Sequence, residues 1–361
     1  MKSAYPHLLQ PVKAGKFVLK NRMQSSNSMP HFSQGPEEYP ADPTIAHFLG
    51  RARSGAAFVT LCGVDDNYGM PTPPDWLDIS HFPDFDMFNA KCQNYMIELV
   101  EAIHGVGSLA SGSLFSASRI YRYVNEKGET ESIDANEAGP GFGSEGMGGS
   151  IGDGVSAEDL RKIAKSYGQR AALYKRLGFD AVTIHMSYRA QVPSQLLSPL
   201  TNRRTDEFGA DTPENRARFA VLMLREIREA VGRDMLIEIQ FSAIEPEGGY
   251  TFEEGLQYLR MFEPYVDIVQ VRSPEGDENH PIPFELEPTP FLELAARIKA
   301  EGLDFLVSNV GGYFDPDIAD RAIAEGKLDL VAMARAWISN PNYGDLLYED
   351  RFDDAVPCLR C

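Results

Sequence analysis

The feature that most constrains this chain is a rhythm: a short apolar run followed by a helix-length amphipathic stretch, again and again. The runs fall at residues 22–26, 57–62, 108–114, 180–185, 235–241, 266–271, 304–309 and 329–334. Several, such as Ala-Val-Thr-Ile at 181–184 and Leu-Ile-Glu-Ile-Gln-Phe at 236–241, have the apolar density of strands buried on both faces. Helical patterns lie between them at 44–54, 86–105, 156–177, 212–231, 252–262, 289–300 and 315–325, and a last helix is expected after Arg335. Ser156 and Thr212 stand where the first free amides of a helix need an acceptor, and Gly178 and Gly326 follow helix ends. Strands that alternate with helices pair in parallel, and eight such units close into an α/β TIM (β/α)8 barrel. The rival, an open doubly wound sheet, calls for Gly-x-Gly-x-x-Gly after the first strand, and residues 21–29 contain no glycine.

Charge and composition narrow the function. With 34 Lys plus Arg against 53 Asp plus Glu, the net charge of −19 would repel a polyanion, so no nucleic-acid partner is expected. A hydrophobic content of 43% excludes wholesale disorder. No apolar run approaches the length of about 18 residues that a membrane span requires. The start, Met-Lys-Ser-Ala-Tyr-Pro-His, lacks the apolar segment of a signal peptide, and a cytoplasmic location is expected. Four cysteines are too few for a disulfide framework. One segment interrupts the rhythm: residues 121–154 are polar and, from 139, dense in glycine. This insertion after the third strand reads either as a flexible surface loop or as a lid over the catalytic face. The sequence does not speak to oligomeric state.

A barrel of this kind carries its functional side chains at the C-terminal ends of its strands. Those positions hold Ser26 and Asn27, Cys62, Ser113, His185, Gln240, Arg272, Asn309 with Gly311 and Gly312, and Ala334 with Arg335. Gly311-Gly312 lets the backbone approach a ligand, and Arg335 suits phosphate oxygens; a plain tight turn and a solvated cation are the alternative. His185 and Tyr188 are donors suited to a carbonyl oxygen that gains charge, unless they only pack in the core.

The run Ser-Pro-Leu-Thr-Asn-Arg-Arg-Thr-Asp-Glu-Phe-Gly at 198–209 closely resembles the signature of Old Yellow Enzyme-type NADH:flavin oxidoreductases. So do Glu214-Asn-Arg-Ala-Arg-Phe219, the early Leu19-Lys-Asn-Arg22, and Asp329-Leu-Val-Ala-Met-Ala-Arg335 with Asn340-Pro341. Within that family the chain looks most like the branch of 2,4-dienoyl-CoA reductase and the bile-acid and steroid enoate reductases. The resemblance implies an FMN barrel that reduces an activated C=C bond of an enone or enoyl substrate, with NAD(P)H as electron source. By position, the flavin contacts fall on Ser26, Asn27, Ser28, Cys62, Ser113 and Gln240, and the phosphate contacts on Gly311, Gly312, Ala334 and Arg335. The donors to the substrate carbonyl fall on His185 and Tyr188. The aromatic residues Tyr68, Tyr121, Tyr123 and Phe142 would suit a steroid-like or aryl substrate, though core packing accounts for aromatics equally well.

The chain also departs from the pattern. Ser113 replaces the usual Gln, and Leu-Phe-Ser-Ala-Ser-Arg at 114–119 replaces Leu-x-His-x-Gly-Arg. Gln240 replaces an Arg that faces the flavin pyrimidine edge. Ala190 replaces the proton-donating Tyr, and the stretch 185–199 is one residue longer than the common version. Proton delivery is therefore expected from Tyr188, alone or shared with Arg189 as an electrostatic anchor; His280 is a weaker candidate that reads more readily as a solvated loop residue. Cys358-Leu-Arg-Cys361 matches the opening of the branch's 4Fe–4S motif, which leads into a further domain that can carry FAD; a chance C-x-x-C at the terminus is the alternative. The domain expectation is accordingly a barrel over 1–345 and the start of an extension over 346–361. Two other functions stay open: a flavin-holding electron-transfer module without its own substrate, and a different phosphate-binding barrel enzyme.

Overall fold

The computed structural model describes residues 4–28, 39–62, 64–65, 84–85, 87–116, 119–138, 150–274 and 289–358. Eight parallel strands close into one barrel: β1 (Met23–Ser25), β2 (Phe58–Leu61), β3 (Leu109–Ser113), β4 (Ala181–Met186), β5 (Leu236–Ser242), β6 (Ile268–Arg272), β7 (Leu306–Val310) and β8 (Leu330–Met333). Each strand pairs with the next in sequence, and β8 pairs back onto β1. The strands lie where the apolar runs predict them, with ends shifted by one or two residues.

The helices α1 (Asp42–Arg53), α2 (Ala90–His104), α3 (Ala157–Arg176), α4 (Pro213–Val231), α5 (Phe252–Phe262), α6 (Leu292–Ala300) and α7 (Pro316–Ala324) fill the crossovers. Two short helices, Arg335–Ser339 and Tyr343–Tyr348, follow β8. The expected caps form. Ser156 Oγ accepts the Asp159 amide at 3.0 Å and Thr212 Oγ1 accepts that of Asn215 at 3.2 Å, contacts worth about 1 kcal/mol each. The helix Tyr343–Tyr348 spans residue 345 and is docked on the barrel, where the Tyr348 hydroxyl accepts from Asn21 Nδ2 at 2.8 Å. Among the described residues, no helix is long and apolar enough to cross a membrane.

Two features escaped the sequence reading. An antiparallel hairpin, Val12–Ala14 with Phe17–Leu19, seals the N-terminal end of the barrel. Its Ala14 and Leu19 pack with Ala57, Phe58, Ala181, Leu236, Ile268 and Leu330, which stand at the starts of the strands. A second hairpin, Ile120–Val124 with Thr130–Asp134, occupies the first half of the predicted insertion. Tyr121 is buried there, 5.8 Å in ring-centroid distance from Tyr167 of α3, and Tyr123 bonds Glu131. This hairpin accounts for both tyrosines by packing. The glycine-dense stretch 139–149, with Tyr68, Phe142, His280 and Cys361, lies outside the described residues.

The barrel interior is polar at mid-height, where such barrels usually hold branched apolar residues. Glu238 of β5 is completely buried. Its Oε1 accepts from Gln24 Nε2 at 3.0 Å and Gln270 Nε2 at 3.1 Å, and its Oε2 accepts from Thr183 Oγ1 at 2.7 Å. Ser111 lies 2.8 Å from Thr183, Ser26 donates to Gln270 at 2.8 Å, and Ser308 donates to Gln24. Burial raises the Glu238 carboxyl above its ordinary value of 4.5, against the pull of these three donors.

The folded chain therefore holds this proton more tightly than the unfolded chain does. The stabilisation from proton binding is complete below about pH 4.5 and is lost as pH rises through the raised value. Glu238→Gln, which mimics the protonated acid, should gain stability relative to the wild type as pH rises from 4.5 towards 7 in urea unfolding. A pH-independent difference would contradict this. Glu238→Ala, which strands three buried donors, should cost about 3 kcal/mol or more at any pH.

Candidate active site at the barrel mouth

β4 delivers His185 to the mouth, and the chain then turns sharply through Ser187, Tyr188 and Arg189. Tyr188 and Arg189 both take positive φ, 54° and 61°, a conformation that costs a side-chain-bearing residue about 1 kcal/mol or more and that the surroundings must enforce. They do so with three contacts. The Tyr188 amide meets Ser242 Oγ at 3.4 Å, the Ala190 amide bonds Ser187 O at 3.2 Å, and Arg189 Nη1 reaches Glu245 Oε1 at 3.3 Å.

The turn brings His185 and Tyr188 together, ring centroids 5.0 Å apart and edge to face, with Phe115 at 5.8 Å from the imidazole. His185 is 8% exposed, and its Nδ1 is buried without a partner among the described residues. Burial, with the nearby Arg272 charge, holds its pKa well below the ordinary 6.5. At neutral pH it is a neutral imidazole with one N–H to donate.

Arg189, expected as an electrostatic anchor, has a carboxylate partner of its own. Its guanidinium is committed to Glu245, a carboxylate that also accepts from Ser198 Oγ at 2.6 Å. It anchors the turn. Glu245 itself was missed because the pairing joins residues 56 positions apart and only the fold brings them together.

The signature run at 198–209 proves to be a brace. Asn202 Nδ2 donates to the carbonyls of Leu196 and Phe208 at 2.9 and 2.8 Å. Arg204 donates to the carbonyls of Gly152 and Val155 at 2.7 and 2.6 Å and pairs with Asp206. Gly209 sits so close to this knot that a Cβ would meet the Arg204 and Asp206 carbonyl oxygens at 2.8 Å.

The expected cofactor residues gather at the same end. Asn27 Nδ2 lies 3.3 Å from Ser113 Oγ, and Asn27 Oδ1 is buried without a partner among the described residues. Ser26 spends its proton on Gln270 and retains acceptor capacity only, whereas Ser28 accepts from the buried Arg51 at 2.7 Å and keeps its own O–H to donate. Cys62 is buried beside Ser113; burial pushes its thiol up to about 11, against the Arg272 charge and the Ser113 hydrogen bond. Gln240 Oε1 accepts from Arg272 Nη1 at 2.5 Å, while Gln240 Nε2 and Arg272 Nε are buried without partners among the described residues. Gly311 and Gly312 take φ of 127° and 85°, conformations that bar other side chains, beside the turn where Ala334 and Arg335 begin the helix Arg335–Ser339.

Cys358 is partly exposed near the end of the described residues. Among those residues no three His, Cys, Asp or Glu converge as metal ligands.

Comparison with known proteins adds three findings. The sequence profile of the NADH:flavin oxidoreductase / NADH oxidase family matches residues 7–354. Curated relatives include an NADH oxidase of Thermoanaerobacter brockii, 28% identical over 99% of this chain and 53% of its own length, and a cinnamate reductase of Clostridium sporogenes, 22% identical over 100% and 55%. The solved structure of a 2-naphthoyl-CoA reductase complex shares the fold at a TM-score of 0.82 and 24% identity, covering 99% of this chain and 54% of that one. The chain thus spans about half the length of these relatives.

The raised thiol of Cys62 predicts low reactivity. With iodoacetamide at pH 8, Cys62 should be alkylated at least about 100-fold more slowly than Cys358, by peptide mass spectrometry of the folded protein. Comparable labelling of the two would contradict its burial.

Proposed function

The chain belongs to the NADH:flavin oxidoreductase / NADH oxidase family, and on that footing we propose that it holds FMN at the barrel mouth and reduces an activated C=C bond, with NADH or NADPH as electron source. The observation that carries the reading is the set of buried polar atoms at this end of the barrel: Gln240 Nε2, Asn27 Oδ1, His185 Nδ1 and Arg272 Nε. Buried polar groups are rarely left unsatisfied, and four at one mouth call for a polar ligand. The amides of Asn27 and Gln240 suit the alternating N–H and C=O edge of a flavin ring. Gly311, Gly312, Ala334 and Arg335 suit its phosphate. Ser26, Ser28, Ser113 and Cys62 would line the ring.

When bound, FMN would supply the hydride chemistry that couples oxidation of a nicotinamide to reduction of the substrate at its β-carbon. The side chains have the remaining work. Neutral His185 donates an N–H to the substrate carbonyl, where negative charge grows as the hydride arrives, and preorganised donors of this kind contribute most when buried. The Tyr188 hydroxyl stands beside it as proton donor to the α-carbon, since Ala190 offers no proton. Arg189 and Glu245 keep Tyr188 in its strained turn. The names of the relatives, cinnamate reductase and 2-naphthoyl-CoA reductase, make aryl acids and thioesters the first substrates to try.

Cys358 and Cys361 are proposed as two of the four thiolates of a 4Fe–4S cluster on the strength of their spacing. The described residues bring only the first of them, so no step is assigned to a cluster. Iron and sulfide in anaerobically purified protein would support the assignment, and their absence would end it.

The purified protein should be yellow and release FMN on acidification; a colourless protein that takes up no FMN would overturn the reading. Reduced protein should be reoxidised anaerobically in one turnover by a cinnamate-type acid or an enone. Failure with reduced flavin present would favour an electron-transfer module. Tyr188→Phe and His185→Ala should each slow that turnover about 100-fold. Wild-type rates in both would remove them from the mechanism.

A further inference from the structure

Arg272 ends β6, has no ion pair among the described residues, and takes a neutral side chain as its hydrogen-bond partner. Its Nη1 donates to Gln240 at 2.5 Å, its Nε is buried with no partner among the described residues, and its Cζ lies 5.0 Å from the centre of the Tyr188 ring. The side chain reaches inward over the barrel rather than out to solvent. Its charge is felt by His185 on β4, by Cys62 beyond β2 and by Glu238 on β5. The carboxylate among them, Glu238, is spoken for by Gln24, Gln270 and Thr183.

A half-buried guanidinium facing neutral groups is costly to the chain by itself, because the lost hydration is not offset by a counter-charge. That cost is recovered by a ligand that carries negative charge, and only in the state in which it carries it. A flavin ring is such a ligand: oxidised it is neutral, and reduced with two electrons and one proton it is an anion.

We propose that Arg272 is the group that stabilises the reduced flavin, supplying from β6 a positive charge to a site whose β5 residue, Gln240, is neutral. The inference rests on the FMN reading above. Gln240 acts as a positioning residue, its Oε1 holding the guanidinium and its Nε2 left to the ring. Binding and reduction are linked: tighter binding of the reduced than of the oxidised form raises the potential in proportion to the logarithm of the affinity ratio.

The test is the midpoint potential of the FMN-loaded protein, measured by dye equilibration at fixed pH, together with the affinity for oxidised FMN. Arg272→Gln should weaken binding of the reduced form relative to the oxidised form about tenfold, a fall of about 30 mV for a two-electron couple, while leaving oxidised FMN bound. Arg272→Lys should retain most of the wild-type potential. The exchange Gln240→Arg with Arg272→Gln, which returns the charge across the same contact, should restore it. An unchanged potential in Arg272→Gln that still binds oxidised FMN at wild-type affinity overturns the proposal. So does an unchanged potential accompanied by a raised KM for a cinnamate-type acid but not for a neutral enone, which would assign Arg272 to a substrate carboxylate. If the wild type binds no FMN, the flavin reading itself falls, a result distinct from either.

Discussion

The polar layer at mid-height of the barrel sets the terms for everything above it. Side chains two apart on a strand share a face, and the mouth residues stand two positions beyond the members of this layer: Ser26 after Gln24, Ser113 after Ser111, His185 after Thr183, Gln240 after Glu238, Arg272 after Gln270. The hydrogen bonds to Glu238 tie β1, β4, β5 and β6 at one level. They therefore fix the height at which His185, Gln240 and Arg272 meet. A slip of one residue in β4 or β6 would bring an apolar side chain to the carboxyl and turn the functional residue outward. Uniform apolar packing would tolerate small shifts more readily, whereas hydrogen bonds across the interior are directional.

Around this layer the protein separates holding from doing. The run at 198–209, the most distinctive stretch of the sequence, spends its side chains on backbone carbonyls and on one another. With Glu245 it steadies the turn after β4, where Tyr188 and Arg189 are kept in conformations they would not choose. The groups free to meet a ligand sit on strand ends, which are rigid, and only the Tyr188 turn depends on such external support. Distinctiveness in sequence here marks the brace, and the residues proposed for the chemistry, His185 and Tyr188, lie just ahead of it.

Much of this was legible without coordinates. Strand and helix positions follow from local periodicity, and once eight units are counted the topology places the strand ends at one mouth, so Asn27, Ser113, His185 and Gln240 could be grouped in advance. What was not legible depends on register and long-range pairing. Residues 236–241 read as an apolar strand, and nothing local says that Glu238 and Gln240 face inward while Ile237 and Ile239 face the helices. Arg189 and Arg272 look alike in sequence, each a cation just past a strand. One is neutralised by Glu245 and the other is not, and only the fold distinguishes them. Tyr121 and Tyr123 read equally as mouth aromatics or as core packing, and a hairpin sets Tyr121 against α3.

The hairpin that seals the opposite end of the barrel bears on how the chain reaches its structure. Residues 12–19 emerge during synthesis well before Leu330, yet Ala14 and Leu19 have no complete seat until the starts of β2, β4, β5, β6 and β8 are assembled together. Contacts so distant along the chain close late and slowly, because the entropy of loop closure is lost before they form. In the interval Ala14 and Leu19 lack their full apolar seat, the kind of transiently exposed surface that favours aggregation during folding. The order of synthesis and the order of assembly thus run opposite ways: what is translated early is docked last.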